Sequence, residues 1–186
     1  MSGKSVVFLD FDGVMNSSRS LKRAESTEPT WSERDFSIEL CNQHYVGYPE
    51  DLLTLDLRGI DPVCIGYLNQ IVEASNASVV VSSSWRFCHS ITGMQKLLEY
   101  HSFKGQLIDI TPVNIKGPSS KLRGYEIQAW LDLHPGVDRF IILDDDTDMA
   151  HLKSHLVLTD RSVGLTEQDA QRAISILLAP VGSVRT

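Results

Sequence analysis

The sequence is poor in cysteine, since its 186 residues include only Cys41, Cys64 and Cys88. Their number is odd and no two of them have the spacing of a CxxC pair, which argues against a disulfide framework. Reduced thiols are typical of cytoplasmic proteins, and the cytoplasm is the location that we expect.

Long apolar runs are also missing. No stretch reaches the roughly 18 uncharged apolar residues that a membrane span requires. The run Val6–Leu9 is too short for the core of a signal peptide, and Asp10 and Asp12 follow it closely. We therefore expect neither membrane association nor a secretory leader.

Basic residues are outnumbered, with 17 Lys and Arg against 24 Asp and Glu and a formal net charge of −7. A protein that binds an extended nucleic-acid backbone needs many basic contacts to phosphates, so we do not expect that kind of partner. A small phosphorylated molecule or a nucleic-acid terminus, held by a few residues and a metal ion, is compatible with the charge.

The chain has an ordinary globular composition, 42% hydrophobic and 22% charged, in which short apolar runs alternate with amphipathic stretches. Five apolar runs predict strands: Ser5–Leu9, Ala77–Val81, Leu107–Ile110, Arg139–Leu143 and Leu156–Leu158. The alternation predicts βαβ units, and hence an α/β fold with a parallel sheet and helices on both faces. The length predicts a single domain.

Helix signals stand between these strands and after the last one. The dipeptide Asp61-Pro62 predicts a helix start, because proline suits the first helical turn. Apolar stripes indicate further helices around residues 94–98 and 127–131. Thr166 and Asp169 resemble a capping box and predict the start of a final helix.

Polar side chains stand where three of the predicted strands end. Asp10 and Asp12 follow the first strand, Ser82 and Ser83 follow the second, and residues 144–148 follow the fourth with Asp at 144, 145, 146 and 148. Ligands of parallel sheets bind at the carboxyl ends of the strands, so we expect these groups to meet. Carboxylates brought together repel one another unless a cation lies between them, and an all-oxygen cluster favours Mg²⁺.

The types of residue at these strand ends suit the handling of a phosphate group. Asp10 and Asp12 are two positions apart on an extended chain and so point to the same side, where one carboxylate attacks while the other moves a proton. Ser82 and Ser83 offer hydroxyl and backbone N–H groups to an anion. Lys121 or Arg123 supplies the positive charge that a phosphoryl group requires.

Four segments resemble the motifs of the haloacid dehalogenase (HAD) phosphatase superfamily. Val6–Val14 resembles the first motif, a strand that ends in DxDG, and Val79–Ser82 resembles the second. Arg123 stands near the position of the basic residue of the third motif, where lysine is commoner, and Ile141–Asp145 resembles the fourth. The resemblance covers about residues 5–178 and implies a Rossmann-like three-layer sandwich, with residues 1–186 as one domain.

Within the superfamily, three segments look most like the HAD domains of RNA-repair proteins, akin to the phosphatase half of polynucleotide kinase-phosphatase. They are Ser-Ser-Trp-Arg at 83–86, Arg-Gly-x-Glu-Ile-x-x-Trp-Leu at 123–131 and Leu-Asp-Asp-Asp-x-Asp-Met at 143–149. This resemblance implies a phosphomonoester substrate, with a nucleic-acid 3′-phosphate or a nucleotide as candidates. A phosphotransferase, a protein phosphatase and a non-catalytic phosphate-binding module are the alternatives.

The resemblance also implies a role for each aspartate. Asp10 is the expected nucleophile and forms an aspartyl-phosphate, while Asp12 is the expected general acid and base. Mg²⁺ is expected on Asp10, on the backbone carbonyl of Asp12 and on Asp145, with Asp144 or Asp148 nearby.

Ser82 and Arg123 are expected to hold the phosphoryl oxygens. Ser83 and Lys121 are the alternatives to them, because three serines stand in a row and two basic residues stand close together. Arg86 is assigned equally to substrate contact and to a structural ion pair, whereas Trp85 is expected to pack in the protein rather than to stack on a substrate.

Residues 14–59 form a long insertion after the first strand and show no clean period, so we expect irregular structure there. The superfamily resemblance implies a small cap or flap that selects the substrate and excludes water. Aromatic residues of this segment are expected to form a small core or a face for a base: Trp31, Phe36, Tyr45 and Tyr48.

Overall fold

A computed structural model describes residues 4–45, 47–113 and 123–179 of the chain. Its centre is a five-stranded sheet in which all neighbouring strands are parallel. The strands, in chain order, are β1 (Lys4–Leu9), β2 (Ser78–Val81), β3 (Leu107–Ile110), β4 (Val137–Asp144) and β5 (Leu156–Leu158). The five predicted strands are therefore confirmed, with ends that move by one or two residues.

Seven helices surround the sheet in the described part of the chain. They are α1 (Ser18–Ser26), α2 (Trp31–His44), α3 (Glu50–Gly59), α4 (Pro62–Ser75), α5 (Ile91–Tyr100), α6 (Arg123–Leu133) and α7 (Glu167–Leu178). Short 3₁₀ turns at Ser84–Phe87 and Ala150–His155 follow β2 and β4. The predicted helix starts are confirmed, because Asp61 caps α4 and Thr166 forms a capping box with Asp169 in α7.

The strand order is β3-β2-β1-β4-β5, so β1 lies at the centre of the sheet. In the register of the sheet, Leu9 at the end of β1 is aligned with Val81 of β2 and with Leu143 of β4. The residues that follow these three positions therefore meet at one edge. The chain switches from one side of β1 to the other at this edge, which is the usual ligand-binding position of such sheets.

The side chains of β1 alternate between two hydrophobic cores. Val7 and Leu9 pack in the core that contains the apolar faces of α4, α5 and α7. Val6 and Phe8 pack in the opposite core, against Trp130 and its neighbours on α6. Helices thus cover both faces of the sheet, and the predicted three-layer α/β sandwich is confirmed.

The prediction of irregular structure at 14–59 is wrong, because this insertion contains helices α1, α2 and α3. Small or polar residues fill buried positions of α1 and α2, such as Ser20 and Ala24 in α1 and Ser37 in α2, so these two helices lack an apolar stripe. Capping boxes at Ser17 and Thr30 fix the starts of α1 and α2. Sequence periodicity therefore gave no signal where capping did.

The insertion shares its core with the rest of the domain. Leu40, Leu53 and Leu57 are buried in the same hydrophobic cluster as Val7 and Leu9 of β1. Truncating a buried leucine to alanine costs about 2–5 kcal/mol, so these contacts hold the insertion firmly on the sheet layer.

Candidate active site

Three acidic side chains converge at the carboxyl edge of the sheet. Asp10 follows β1, Asp144 ends β4 and Asp145 comes next, and each offers a carboxylate oxygen within 4.8 Å of the others. Asp10 and Asp144 are buried. The backbone N–H of Asp10 donates to the carbonyl of Leu143 at 3.0 Å, so pairing between the strands fixes the spacing of the cluster.

Burial changes the protonation of this acidic cluster. It raises the pKa of Asp10, an effect that the positive charge of Arg123 partly opposes. Burial, followed by repulsion from Asp10, raises the pKa of Asp144 to about 8. Without a cation, the cluster therefore retains a proton on Asp144 near neutral pH.

The donor set fits a divalent cation. Asp144 Oδ2 is buried and has no hydrogen-bond partner among the described residues. An unpartnered buried carboxylate oxygen is costly unless another group satisfies it, and carboxylates are ligands that Mg²⁺ prefers. Asp10, Asp144 and Asp145, which belong to the predicted set, are the residues that the structure brings together for this purpose.

Gly13 makes room for Asp145. It has a positive φ of 75°, and a Cβ placed on it would lie 2.5 Å from Cγ of Asp145. Thr159 donates from Oγ1 to the carbonyl of Gly13 at 2.8 Å and fixes the turn from the β5 side. Only glycine meets both the backbone and the space requirement here.

Asp12 has a different environment from Asp10. It is half-buried, and its Oδ1 accepts hydrogen bonds from Nδ2 of Asn16 at 2.9 Å and from Nε1 of Trp85 at 3.1 Å. Asn16 also accepts from the N–H of Gly13 at 3.1 Å. The two predicted catalytic aspartates therefore stand in distinct surroundings, as two different roles require.

The structure distinguishes the two serines after β2. Ser83 Oγ accepts from the backbone N–H groups of Phe11 at 3.4 Å and Trp85 at 3.3 Å, so it is used in capping the 3₁₀ turn. Ser82 Oγ is buried and makes no hydrogen bond within the described part of the chain. The two hydroxyls therefore differ, since Ser83 Oγ already accepts two backbone hydrogen bonds and Ser82 Oγ accepts none from the described residues.

Arg123, at the start of α6, brings positive charge to Asp10. Its Nη1 donates to the carbonyl of Ser82, and its Nη2 lies 3.8 Å from Oδ2 of Asp10. Its backbone N–H donates to Oδ2 of Asp148 at 3.0 Å, so Asp148 contacts the α6 terminus and lies outside the three-carboxylate cluster. Lys121, the alternative to Arg123, lies outside the described residues.

Arg86 is placed in an ion pair. Its Nη2 lies 2.6 Å from Oε2 of Glu126 on α6, and its Nη1 donates to the carbonyl of Ser83 at 2.8 Å. Only 3% of the Arg86 side chain is exposed. The structural alternative for this residue is therefore realised, and contact with a substrate phosphate stays a prediction.

Comparison with known families agrees with this geometry. Residues 6–170 match the model of a family described as the HAD domain in Swiss Army Knife RNA repair proteins. The chain belongs to this family. The motifs had predicted the same superfamily and the same RNA-repair branch, and both are confirmed.

One solved structure aligns with this HAD domain, namely the hydrolase, haloacid dehalogenase-like family protein SP0104 from Streptococcus pneumoniae. The two sequences are 15% identical, the alignment covers 92% of this chain and 91% of that chain, and the TM-score is 0.39. No curated protein matches the sequence. Family membership and the acidic cluster together support a hydrolase of the HAD type in general terms.

Sequence reasoning missed three side chains at the site of this HAD domain. Asn16 and Trp85 hold Asp12, and Arg161, on the turn after β5, donates from Nε to Oδ2 of Asp145 at 2.5 Å. Trp85 and Arg161 are distant in sequence from the aspartates that they contact, whereas Asn16 is close to Asp12. An asparagine four residues after Asp12 was the one signal available in the sequence.

Among the described residues, no helix has the length and apolar character needed to cross a membrane.

Proposed function

We propose that the protein is a cytoplasmic, Mg²⁺-dependent phosphohydrolase that removes a terminal phosphate through an aspartyl-phosphate on Asp10. The observation that carries the proposal is the setting of Asp10. Asp10 belongs to the carboxylate cluster and lies beside Arg123. It follows Leu9, which is aligned with Val81 of β2, and Ser82 follows Val81 with a hydroxyl that has no partner among the described residues.

Ser82 and Arg123 are the proposed phosphate ligands. The Ser82 hydroxyl is buried and has no partner among the residues that the structure describes, so a phosphoryl oxygen would satisfy it. Arg123 is held beside Asp10 by its bond to the Ser82 carbonyl, and a guanidinium stabilises the charge of the transferring group. Ser83 contributes by fixing the turn. Lys121 and Arg86 stay predicted as further phosphate ligands.

The proposed reaction has two steps. A carboxylate oxygen of Asp10 attacks phosphorus while the bond from phosphorus to the ester oxygen breaks, and Asp12 gives its proton to the leaving oxygen. Asp12 then takes a proton from water, whose oxygen attacks phosphorus and releases phosphate from Asp10.

The ion would be held by Asp10, the backbone carbonyl of Asp12 and Asp145, with Asp144 or Asp148 as a further ligand. When bound, Mg²⁺ supplies positive charge that offsets the repulsion between the phosphate and the carboxylates. Arg161 neutralises part of the same charge at Asp145.

The proposed substrate class is a phosphate at a nucleic-acid terminus or on a nucleotide. The family description, which refers to RNA repair proteins, supports it. The net charge of −7 opposes the binding of a long polyanion, and the insertion adds exposed acids such as Glu25, Glu28 and Asp35. A terminal phosphate needs only the compact site around Asp10.

Helices α1 to α3 are the proposed cap beside the site. The buried residues Tyr45, Leu53 and Leu57 join them to the core under β1, so we propose a fixed wall rather than a freely moving flap. Such a wall limits which leaving groups reach Asp12.

The first test measures phosphate release from an aryl phosphate, with Mg²⁺ or with EDTA. We expect release only with Mg²⁺, and a loss of at least about 10³-fold for Asp10→Asn. Asp132→Asn is the matched control, because Asp132 is exposed on α6 and, among the described residues, bonds only to Gln128. Full activity of Asp10→Asn would contradict the proposal, and no release from a broad panel of phosphates would favour the non-catalytic module.

A second test compares oligonucleotides phosphorylated at the 3′ or 5′ end with nucleotides, sugar phosphates and phosphopeptides. We expect the oligonucleotide ends or nucleotides to give the highest kcat/KM, and a weak salt dependence because few phosphates are contacted. A preference for phosphopeptides would favour a protein phosphatase. Phosphate transfer to an added alcohol in place of water would favour a phosphotransferase.

A further inference from the structure

Trp85 connects the 3₁₀ turn after β2 to the proposed general acid. Its indole is 8% exposed, and its Nε1 donates to Oδ1 of Asp12 at 3.1 Å. Asn16 donates to the same oxygen, and within the described residues Oδ2 of Asp12 makes no hydrogen bond. The carboxylate is thus held through one oxygen, and the other is left for the substrate.

The indole of Trp85 has little freedom to move. It stacks on the ring of Phe11 with centroids 4.5 Å apart and planes at 18°, and on the ring of His89 at 4.7 Å and 23°. Phe11 lies between Asp10 and Asp12 in the sequence, so the stack begins in the catalytic turn itself. Each pair of stacked rings adds about 0.5–1.5 kcal/mol beyond the area that it buries.

The insertion supports the far end of this stack. His89 Nε2 lies 3.4 Å from Oδ2 of Asp56 in α3, and the Tyr48 hydroxyl donates to the same Asp56 oxygen at 2.9 Å. The rings of Tyr45 and Tyr48 lie 5.1 and 5.2 Å from that of His89. A continuous series of contacts therefore runs from α3 through His89 and Trp85 to Asp12.

We propose that Trp85 is a positioning residue that orients Asp12 toward the leaving oxygen, and that the insertion supports it through Asp56 and His89. The inference rests on the proposed function, since the orientation matters when Asp12 gives its proton to the departing ester oxygen. An ester with a basic alcohol as leaving group needs that proton as its bond to phosphorus breaks. A nitrophenyl ester departs as a stable anion and needs it little.

Trp85→Phe is the decisive variant, because phenylalanine keeps a stacking ring and removes only the N–H donor. The measurement is kcat/KM for an alkyl phosphate and for p-nitrophenyl phosphate, which reports the formation of the aspartyl-phosphate. We expect kcat/KM to fall about 10–100-fold for the alkyl ester and less than about 3-fold for the nitrophenyl ester. The loss for the alkyl ester is a part of the rate acceleration of about 10²–10⁴-fold that general acids supply.

Trp130→Phe is the matched control. Trp130 is also buried, and it donates from Nε1 to Oδ2 of Asp109 at 2.6 Å, on the opposite face of the sheet from the Trp85 stack. We expect this variant to hydrolyse both esters like the wild type. Thermal unfolding of the variants separates folding defects from kinetic ones.

Two further variants test the mechanism of positioning. Asp12→Asn removes the group that Trp85 orients, so adding Trp85→Phe to it should lower alkyl-ester hydrolysis no further. Asp56→Asn keeps the shape of the support and changes its charge, and we expect a loss of about 2–5-fold for the alkyl ester alone, within the usual range for indirect contacts.

The possible outcomes are distinct. Equal losses for both esters in Trp85→Phe, or an additive loss in the Asp12→Asn background, would overturn the positioning role and leave the proposed function intact. Absence of phosphate release from either ester by the wild type would refute the proposed function and this role with it.

Discussion

Replacing Asp144 by asparagine tests the electrostatics of the carboxylate cluster. In the metal-free protein the pKa of Asp144 is about 8, against 3.8 for an aspartate free of the fold, because burial and Asp10 disfavour its charge. Well below pH 3.8 both folded and unfolded chains carry the proton, so Asp144 has no pH-dependent effect on stability. As the pH rises toward 8, the unfolded chain ionises and the folded one does not, so the folded state loses stability.

The structure sets the size of this effect. About three pH units separate the pKa of 3.8 from pH 7, and each is equivalent to about 1.4 kcal/mol, so the upper limit is about 4 kcal/mol. Relaxation of the buried site makes the real free-energy difference smaller than this limit. We therefore expect Asp144→Asn to stabilise the metal-free protein by about 2 kcal/mol at pH 7. For a domain of this size that is a rise in Tm of about 4–8 °C.

The assay is thermal unfolding in EDTA between pH 4 and pH 8, with the Asp132→Asn protein as the control for loss of an exposed acid. We expect the advantage of Asp144→Asn to grow with pH over this range. Added Mg²⁺ should raise the Tm of the wild type more than that of the variant, because a ligand that binds the folded state stabilises it. Equal stability of variant and wild type at pH 7 in EDTA would refute the reasoning.

Two other substitutions test neighbouring parts of the site. Gly13→Ala places a Cβ 2.5 Å from Cγ of Asp145 at a φ of +75°, so we expect a stability loss of about 1–2 kcal/mol and at least a tenfold weaker Mg²⁺ affinity by calorimetric titration. Unchanged affinity would show that Asp145 is not a ligand. Ser82→Ala should raise KM with little change in Tm, whereas Ser83→Ala should lower stability by about 1 kcal/mol because a turn cap is lost. The reverse result would exchange the roles assigned to the two serines.

The sheet and the convergence of its strand ends could be predicted from the sequence. Apolar runs such as Val79–Val81 and Ile141–Leu143 are buried on both faces, and their composition alone marks them as central parallel strands. Asp10, Ser82 and Asp144 follow directly from that prediction, because each stands one residue beyond or at the end of an aligned strand.

Other features of the fold and the site could not be predicted, because they depend on contacts that a sequence pattern does not show. Ser82 and Ser83 are equivalent in sequence, and only the use of the Ser83 hydroxyl as a cap distinguishes them. Trp85 reaches Asp12 across 73 positions, and periodicity carries no information about such pairs. Helices α1 and α2 were missed for a related reason, since buried serines such as Ser20 and Ser37 interrupt the apolar pattern.

The central position of β1 has a consequence for synthesis of the chain on the ribosome. The strand that carries Asp10 is made first, but one of its two neighbours is β4, which ends at Asp144. Such pairings between distant segments form slowly, and they cannot form until the later segment has been translated. The cluster of Asp10, Asp144 and Asp145 therefore cannot assemble until β4 has left the exit tunnel of the ribosome.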